Sequence, residues 1–262
     1  SPSFNIMSVN GGSLMTSGLA FTNAGTPSAK RHQLIIANGV VAVSGDVTHS
    51  GSTGSATIAF VGNGRLKVGG EFLTSATATL TPGEGTIEYD GSRVQTVGSF
   101  NYNNLVLSGL LVKTMTAGTT IAGHLSIAPT GTALAKLVVG QDITAGTLIL
   151  GGLVRASGTW GASDSAADHK DDNYFAASTG RLVVTSGSSL TTTVSVWPTA
   201  TGILYGQALL ASTLMSGSAS APGTFSFIDP AAVPDDAGAY EAAVIFTPSD
   251  TNLYQTVIGS VL

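Results

Sequence analysis

The sequence predicts an all-β chain, a β-solenoid/β-helix-like repeat domain followed by a small β-sandwich, and three observations carry that expectation. A phrase recurs, apolar-small-Gly-polar-apolar: Val43-Ser44-Gly45-Asp46-Val47, Val68-Gly69-Gly70-Glu71-Phe72 and Ile121-Ala122-Gly123-His124-Leu125. Short β-branched segments alternate with turn signals such as Asn38-Gly39, Asn63-Gly64 and Asp90-Gly91, where glycine accepts the backbone of a tight turn. No window of a dozen residues shows a capped helical stripe.

Taken in order, residues 1–29 fall outside the clear repeat. Their apolar stretches, Phe4 to Val9 and Leu14 to Phe21, suit a cap or an inter-subunit strand. Residues 30–186 form the repeat domain. Its central glycines are 25 residues apart from Gly45 to Gly70 and 53 from Gly70 to Gly123, a gap that Gly98 divides into 28 and 25, and a further 23 reaches Gly146. Gln33 to Ile36, Val40 to Val43, Ala56 to Val61, Gly85 to Tyr89 and Asn104 to Leu107 read as the strands. The phrase is expected to stop near Gly146, leaving a capping region up to residue 186. A polar link, Ser186-Gly187-Ser188-Ser189, then introduces residues 187–262, whose short apolar segments and turn signals at Pro222-Gly223 and Asp229-Pro230 suit a sandwich.

Composition narrows the function classes. Charged residues make up only 10% of the chain, so solvated faces are covered by Ser, Thr, Gly and backbone, which points to an extracellular setting. There is no Cys, so disulfides and thiolate metal sites are excluded. Residues 1–186 balance ten acids against ten bases, while 187–262 hold five acids and no base, so the whole net charge of −5 belongs to the C-terminal part. Such a surface releases no counterions from phosphates, and neither nucleic acid nor membrane insertion is expected. The opening Ser1-Pro2-Ser3, without Met, is read as a removed export signal or a piece of something longer.

The run Gly85-Thr86-Ile87-Glu88-Tyr89-Asp90-Gly91-Ser92-Arg93-Val94-Gln95-Thr96-Val97, followed by Tyr102-Asn103-Asn104-Leu105-Val106-Leu107, resembles the glycine-rich β-strand repeats of large secreted bacterial surface and autotransporter-like proteins. The phrase Ala156-Ser157-Gly158-Thr159-Trp160-Gly161 with Gly180-Arg181-Leu182-Val183-Val184-Thr185 is similar to the close of such regions. The tail, with Tyr205-Gly206-Gln207, Pro222-Gly223-Thr224-Phe225 and Phe246-Thr247-Pro248-Ser249-Asp250-Thr251-Asn252-Leu253-Tyr254, resembles bacterial Ig-like modules of the MBG type. Both resemblances imply export and display at a cell surface, and neither brings a catalytic residue with it.

The densest polar cluster holds Asp164, Asp168, Asp171 and Asp172, hard oxygen ligands that make calcium a candidate cofactor, with turn-ordering in a capping loop as the plainer reading. Adjacent Asp171 and Asp172 do not make the paired carboxylates of a polysaccharide-cleaving β-helix. His32, His49, His124 and His169 have no metal-ligand spacing, and no Gly-x-Ser-x-Gly elbow joins a strand to a helix. Thr-rich stretches at 76–81 and 191–193 read as ordinary solvent faces. Trp160, Trp197, Tyr174 and Phe175 are core or cap aromatics before they are a sugar platform. The expectation is therefore a non-enzymatic structural protein of a bacterial surface fibre, sheath or adhesin stalk, self-associating by head-to-tail strand addition into a homopolymer. A glycan- or surface-binding adhesin module is the second reading and a polysaccharide-degrading enzyme the third.

Overall fold

A computed structural model of the 262-residue chain describes residues 4–22, 31–50, 55–73, 77–187, 191–249, 251 and 254–262. Ser1, Pro2, Ser3 and residues 23–29 of the N-terminal segment, Lys30 at the start of the repeat domain, Ala76 of the Thr-rich stretch, Ser188 and Ser189 of the link, and Asp250, Asn252 and Leu253 of the tail phrase lie outside the described residues. The described residues are β-strands and loops with a single 3-10 turn, Leu209–Ala211. They divide into two compact units, Ser1–Gly187 and Ser188–Leu262.

In the first unit the chain returns repeatedly to lay each strand parallel to the one before. The longest sheet orders Ser13–Thr16, Val40–Val43, Arg65–Val68, Thr86–Tyr89, Asn104–Gly109, Thr120–Gly131, Asp142–Leu150 and Arg181–Val184, all paired in parallel. A second parallel sheet takes Phe4–Val9, Arg31–Ile36, Ser55–Phe60 and Ala78–Thr81. A third holds Gln95–Thr96, Val112–Thr114 and Leu134–Lys136. Leu19–Thr22 pairs with Val47–Ser50, which bridges in parallel to Phe72.

Side chains alternate between the two faces of a strand, so parallel register turns matching sequence positions into columns. Leu14, Val41, Leu66, Ile87, Leu105, Leu125 and Leu148 occupy one column, and Val43, Val68, Tyr89, Leu107, Ile127 and Leu150 the next. Apart from the partly buried Leu14 at the end, all of them are buried. At about 25 cal/mol per Å² of apolar area removed from water, such uninterrupted ladders are the main favourable term of this unit.

Residues 4–22, which lie outside the sequence repeat, form the first circuit of the stack and not a separate segment. The stack also continues past Gly146: Asp142–Leu150 pairs with Arg181–Val184, and the 39-residue step between them contains the cap. There the direction reverses. Gly158–Gly161 lies antiparallel on Arg181–Val184, with His169–Lys170 outside it, and Phe175 bridges to Ala135.

Register also reassigns the glycines. Gly45, Gly70, Gly91, Gly109 and Gly131 hold one corner, spaced by 25, 21, 18 and 22 residues. A Cβ on Gly70 would lie 2.6 Å from the carbonyl carbon of Gly45, and one on Gly109 2.6 Å from the carbonyl oxygen of Gly91, closer than real side chains approach. Gly123 and Gly146 sit inside the long sheet at a register shift, and Gly98 belongs to a hydrogen-bonded ring with two tyrosines. Variable circuit lengths made these three coincide with the phrase.

Two polar groups are built into the interior. Lys113 is fully buried and its Nζ donates to the carbonyls of Gly91 (2.7 Å) and Arg93 (3.1 Å) and to Gln95 Oε1 (2.7 Å). Gln95, its register partner, donates through Nε2 to Val68 and Gly70 and accepts from the Gly91 N–H, so every polar atom in this corner has a partner. Tyr102 donates to the Gly98 carbonyl (2.8 Å), which leaves Tyr89 to donate to the Tyr102 oxygen (3.1 Å) while accepting the Gly98 N–H (3.0 Å).

The second unit is antiparallel wherever it is paired. Gly223–Phe227, Ala242–Pro248 and Val257–Val261 make a three-stranded sheet, and Val194–Val196 with Ser218–Ala219 and Thr199–Ala200 with Leu214–Met215 make two short ribbons. Leu209, Ala242, Val244 and Val261 form its core, with Trp197, Ile203, Leu214 and Phe227 packed against them.

Candidate functional site

In a chain with so few charges, the outward face of the long sheet gathers four of them. Arg65 and Lys67 alternate on one strand, and Glu88 sits in register with Lys67 on the next, with Asp90 two residues on. Arg65 Nη1 is 3.2 Å from Glu88 Oε2; Lys67 Nζ is 3.8 Å from the same oxygen and 3.1 Å from Asp90 Oδ2. On the following strand Ser108 Oγ donates to Glu88 Oε1 at 2.6 Å. Glu88 is only 5% exposed, so its carboxylate is a buried charge satisfied by two cations and a hydroxyl.

Further along the sheet, burial and the charge of Arg65 pull the His124 imidazole below its ordinary range, so it is neutral at pH 7. Towards the first circuit the same face hollows into a recess of about 550 Å³ lined by Met15, Thr16, Ala42, Ser44, Lys67 and Asp90. Chemically this is a neutral ionic clamp across three circuits. The charges cancel locally, and slipping the register by one residue would send them to the interior. The signal was present in the sequence as Arg65-x-Lys67 and Glu88-x-Asp90, charges at period two in a neutral chain.

The aspartates that made calcium a candidate bond to groups of the cap itself. Asp164 accepts the Ser178 N–H (3.0 Å), Asp168 the Thr159 hydroxyl (2.6 Å), Asp171 the N–H and side-chain amide of Asn173 (both 3.0 Å), and Asp172 the Ser163 N–H (2.8 Å). The Thr159 hydroxyl holds the Asp168 carboxyl below its usual range, and the Ser163 N–H does the same for Asp172. Among the described residues no three His, Cys, Asp or Glu side chains are grouped to hold a metal ion. The physical reason is that each carboxylate is already engaged: Asp171 orders its own turn, and Asp164, Asp168 and Asp172 each tie together segments nine to fourteen residues apart within the cap.

The aromatic residues divide in the same way. Trp160 and Phe175 are buried, the Trp160 indole N–H donates to the Ala156 carbonyl, and its ring stacks on His169 at 4.5 Å. Trp197 packs edge-on to Phe225, over Gly259, whose missing Cβ makes room for the indole. Of the Thr-rich stretches, Thr79 shares a hydrogen bond with Thr57 (2.9 Å) on a neighbouring strand. Within the second unit Leu204, Tyr205, Asp236 and Tyr240 line a recess of about 250 Å³. Among the described residues no helix is long and apolar enough to cross a membrane. No protein-family model, curated protein or solved structure matches the chain.

Proposed function

We propose that the chain is a non-enzymatic, extracellular structural protein: a β-solenoid shaft joined to an Ig-like module, serving as a subunit of a bacterial surface fibre, sheath or adhesin stalk. The observation that carries this reading is the parallel stack itself, with aliphatic ladders running through it and one end covered by antiparallel strands. Stacks of this kind bury a core only against their neighbours, so they extend and present surface more readily than they enclose a substrate. The low charge supports an exported setting, and the resemblance to bacterial surface repeats adds to it. Assembly through strand contacts is the form this reading takes, since parallel strands stack on further strands of the same direction.

Electron microscopy of the native protein tests this reading. Ordered filaments or sheets are expected; dispersed particles at every concentration and salt condition would overturn the assembly role. A glycan array with the full chain sharpens it further, since saturable binding to one glycan class would move the reading to an adhesin module.

A further inference from the structure

The second unit carries no Lys, Arg or His, and four of its five acids fall in one stretch, Asp229, Asp235, Asp236 and Glu241. That stretch borders the recess of about 250 Å³. One wall is the turn that follows Thr199–Ala200. There Gln207 accepts the Leu204 N–H through Oε1 (2.8 Å) and donates its own N–H to the Leu204 carbonyl (3.0 Å), with Gly206 at φ +86°. The turn carries Tyr205 outward, 75% exposed. The other wall is the loop 234–240, which brings Asp236 and Tyr240, the tyrosine 41% exposed. The Tyr205 hydroxyl donates to the Asp235 carbonyl (3.3 Å) and joins the two walls. Between them the floor is the unit's own core, Leu209, Ala242 and Val261.

This lining turns away most classes of ligand. An anion would meet Asp236 and no cationic side chain anywhere in the unit. Among the described residues the lining offers one carboxylate, too few for a metal ion. A wholly apolar ligand would strip water from Asp236 and leave its charge unpaired. A neutral sugar gains nothing from the uncompensated acids around the recess. A cation with an apolar body meets every part: the aliphatic floor takes the body, and the two tyrosine rings and the carboxylate take the charge.

We propose that the recess is a binding site for an organic ammonium group, either a quaternary ammonium head or the amine of a lysine side chain. Its methyl or methylene carbons rest on Leu209, Ala242 and Val261, and its charge lies against Asp236, Tyr205 and Tyr240. The recess is smaller than the roughly 300–1,000 Å³ of drug-sized pockets, so it takes one such group and not a bulky ligand. The surrounding acids draw a cation towards it, an attraction that salt weakens. The site goes beyond the assembly reading, since it belongs to the second unit alone and fills whether or not copies associate.

An amide NMR titration of the full chain tests the site. Choline chloride and Nα-acetyl-lysine methylamide are the probes, with glucose and sodium acetate as neutral and anionic controls. At least one ammonium probe is expected to give saturable shifts with a Kd of about 1–10 mM, centred on residues 200–206 and 234–240, and the controls none. Saturation by choline alone identifies a quaternary head as the ligand, and saturation by the lysine amide alone identifies a protein side chain. Tyr240→Leu and Asp236→Asn change exposed side chains, so each should weaken binding at least about three-fold with an unaltered circular dichroism spectrum. Tyr240→Phe keeps the ring and should bind as the unmodified chain does. Failure of both probes to saturate at about 100 mM, equal binding of glucose or acetate, or an affinity indifferent to both Tyr240→Leu and Asp236→Asn would each overturn the proposal. Each of these results leaves the assembly reading where electron microscopy puts it.

Discussion

The two units are written in the same small-residue alphabet, yet one pairs its strands in parallel along a stack and the other pairs only antiparallel neighbours. In the first, a residue's partner lies one circuit away, so each buried leucine or valine is supported above and below by its counterpart. In the second, the buried apolar residues are few: Leu209, Ala221, Ala242, Val244, Phe246 and Val261. The first unit also holds every lysine and arginine of the chain, most visibly in the clamp and in the corner around Lys113. Cooperative depth in one unit stands against local, shallow support in the other.

Each unit contains one tryptophan, Trp160 or Trp197, so single Trp→Phe variants let fluorescence follow either unit alone. The largest effect is expected from Gly109→Val. At φ +72° a side chain is strained, and its Cβ would meet the Asp90 carbonyl oxygen at 2.5 Å, so the first unit should lose about 2–5 kcal/mol in denaturant unfolding. Gly202→Ala in the second unit, where an added Cβ meets nothing, should stay within about 0.5 kcal/mol. Equal losses would mean that the glycine corner does not distinguish the units.

Next in size is Lys113→Met, which leaves the Gly91 and Arg93 carbonyls without this donor and should cost the first unit about 1–3 kcal/mol. Burial pushes the Lys113 ammonium down to about 8 against the pull of Asp90. Between there and the ordinary lysine range near 10.5 the unfolded chain keeps a proton that the folded chain has released, so stability of the first unit should rise with pH from about 8. From about pH 10 the buried tyrosines oppose this, because Tyr89 is pushed up to about 12 and Tyr102 is also raised, while unfolded tyrosines ionise. The rising limb should vanish in Lys113→Met, and the second unit, which has no lysine, should not show it. The smallest effect is expected from Asp142→Asn, which removes the exposed ion pair with Arg181 (2.7 Å) and should cost about 0.2–1 kcal/mol, less in high salt.

Strand identity was readable because alternation and turn glycines are local: Val40–Val43 and Thr86–Tyr89 stand where β-branched residues and Asn-Gly or Asp-Gly place them. Circuit membership was harder to see. Fixed-period counting works where register advances by 25, as from Val43 to Val68, and fails where it advances by 18, as from Tyr89 to Leu107. Corners absorb the difference, and only pairing reveals it. The first circuit escaped for a related reason, since its Ser17-Gly18-Leu19 lacks the polar residue that completes the phrase. Sequence proximity also drew attention to Asp164, Asp168, Asp171 and Asp172, whose carboxylates the fold engages with four different partners, and away from Lys67 and Glu88, which are 21 residues apart in the chain and adjacent across the sheet. Contacts between circuits carry no sequence spacing of their own.

The glycine corner has a consequence for growth. With one backbone resting on the last, a circuit advances the stack by a single strand spacing, about 4.8 Å, whether it spends 18 residues or 27. Extra residues at a corner therefore widen the body without lengthening it, and only duplication of a whole circuit adds to its reach. The parallel stack keeps a ruler marked in circuits, and the number of amino acids between marks is free to vary.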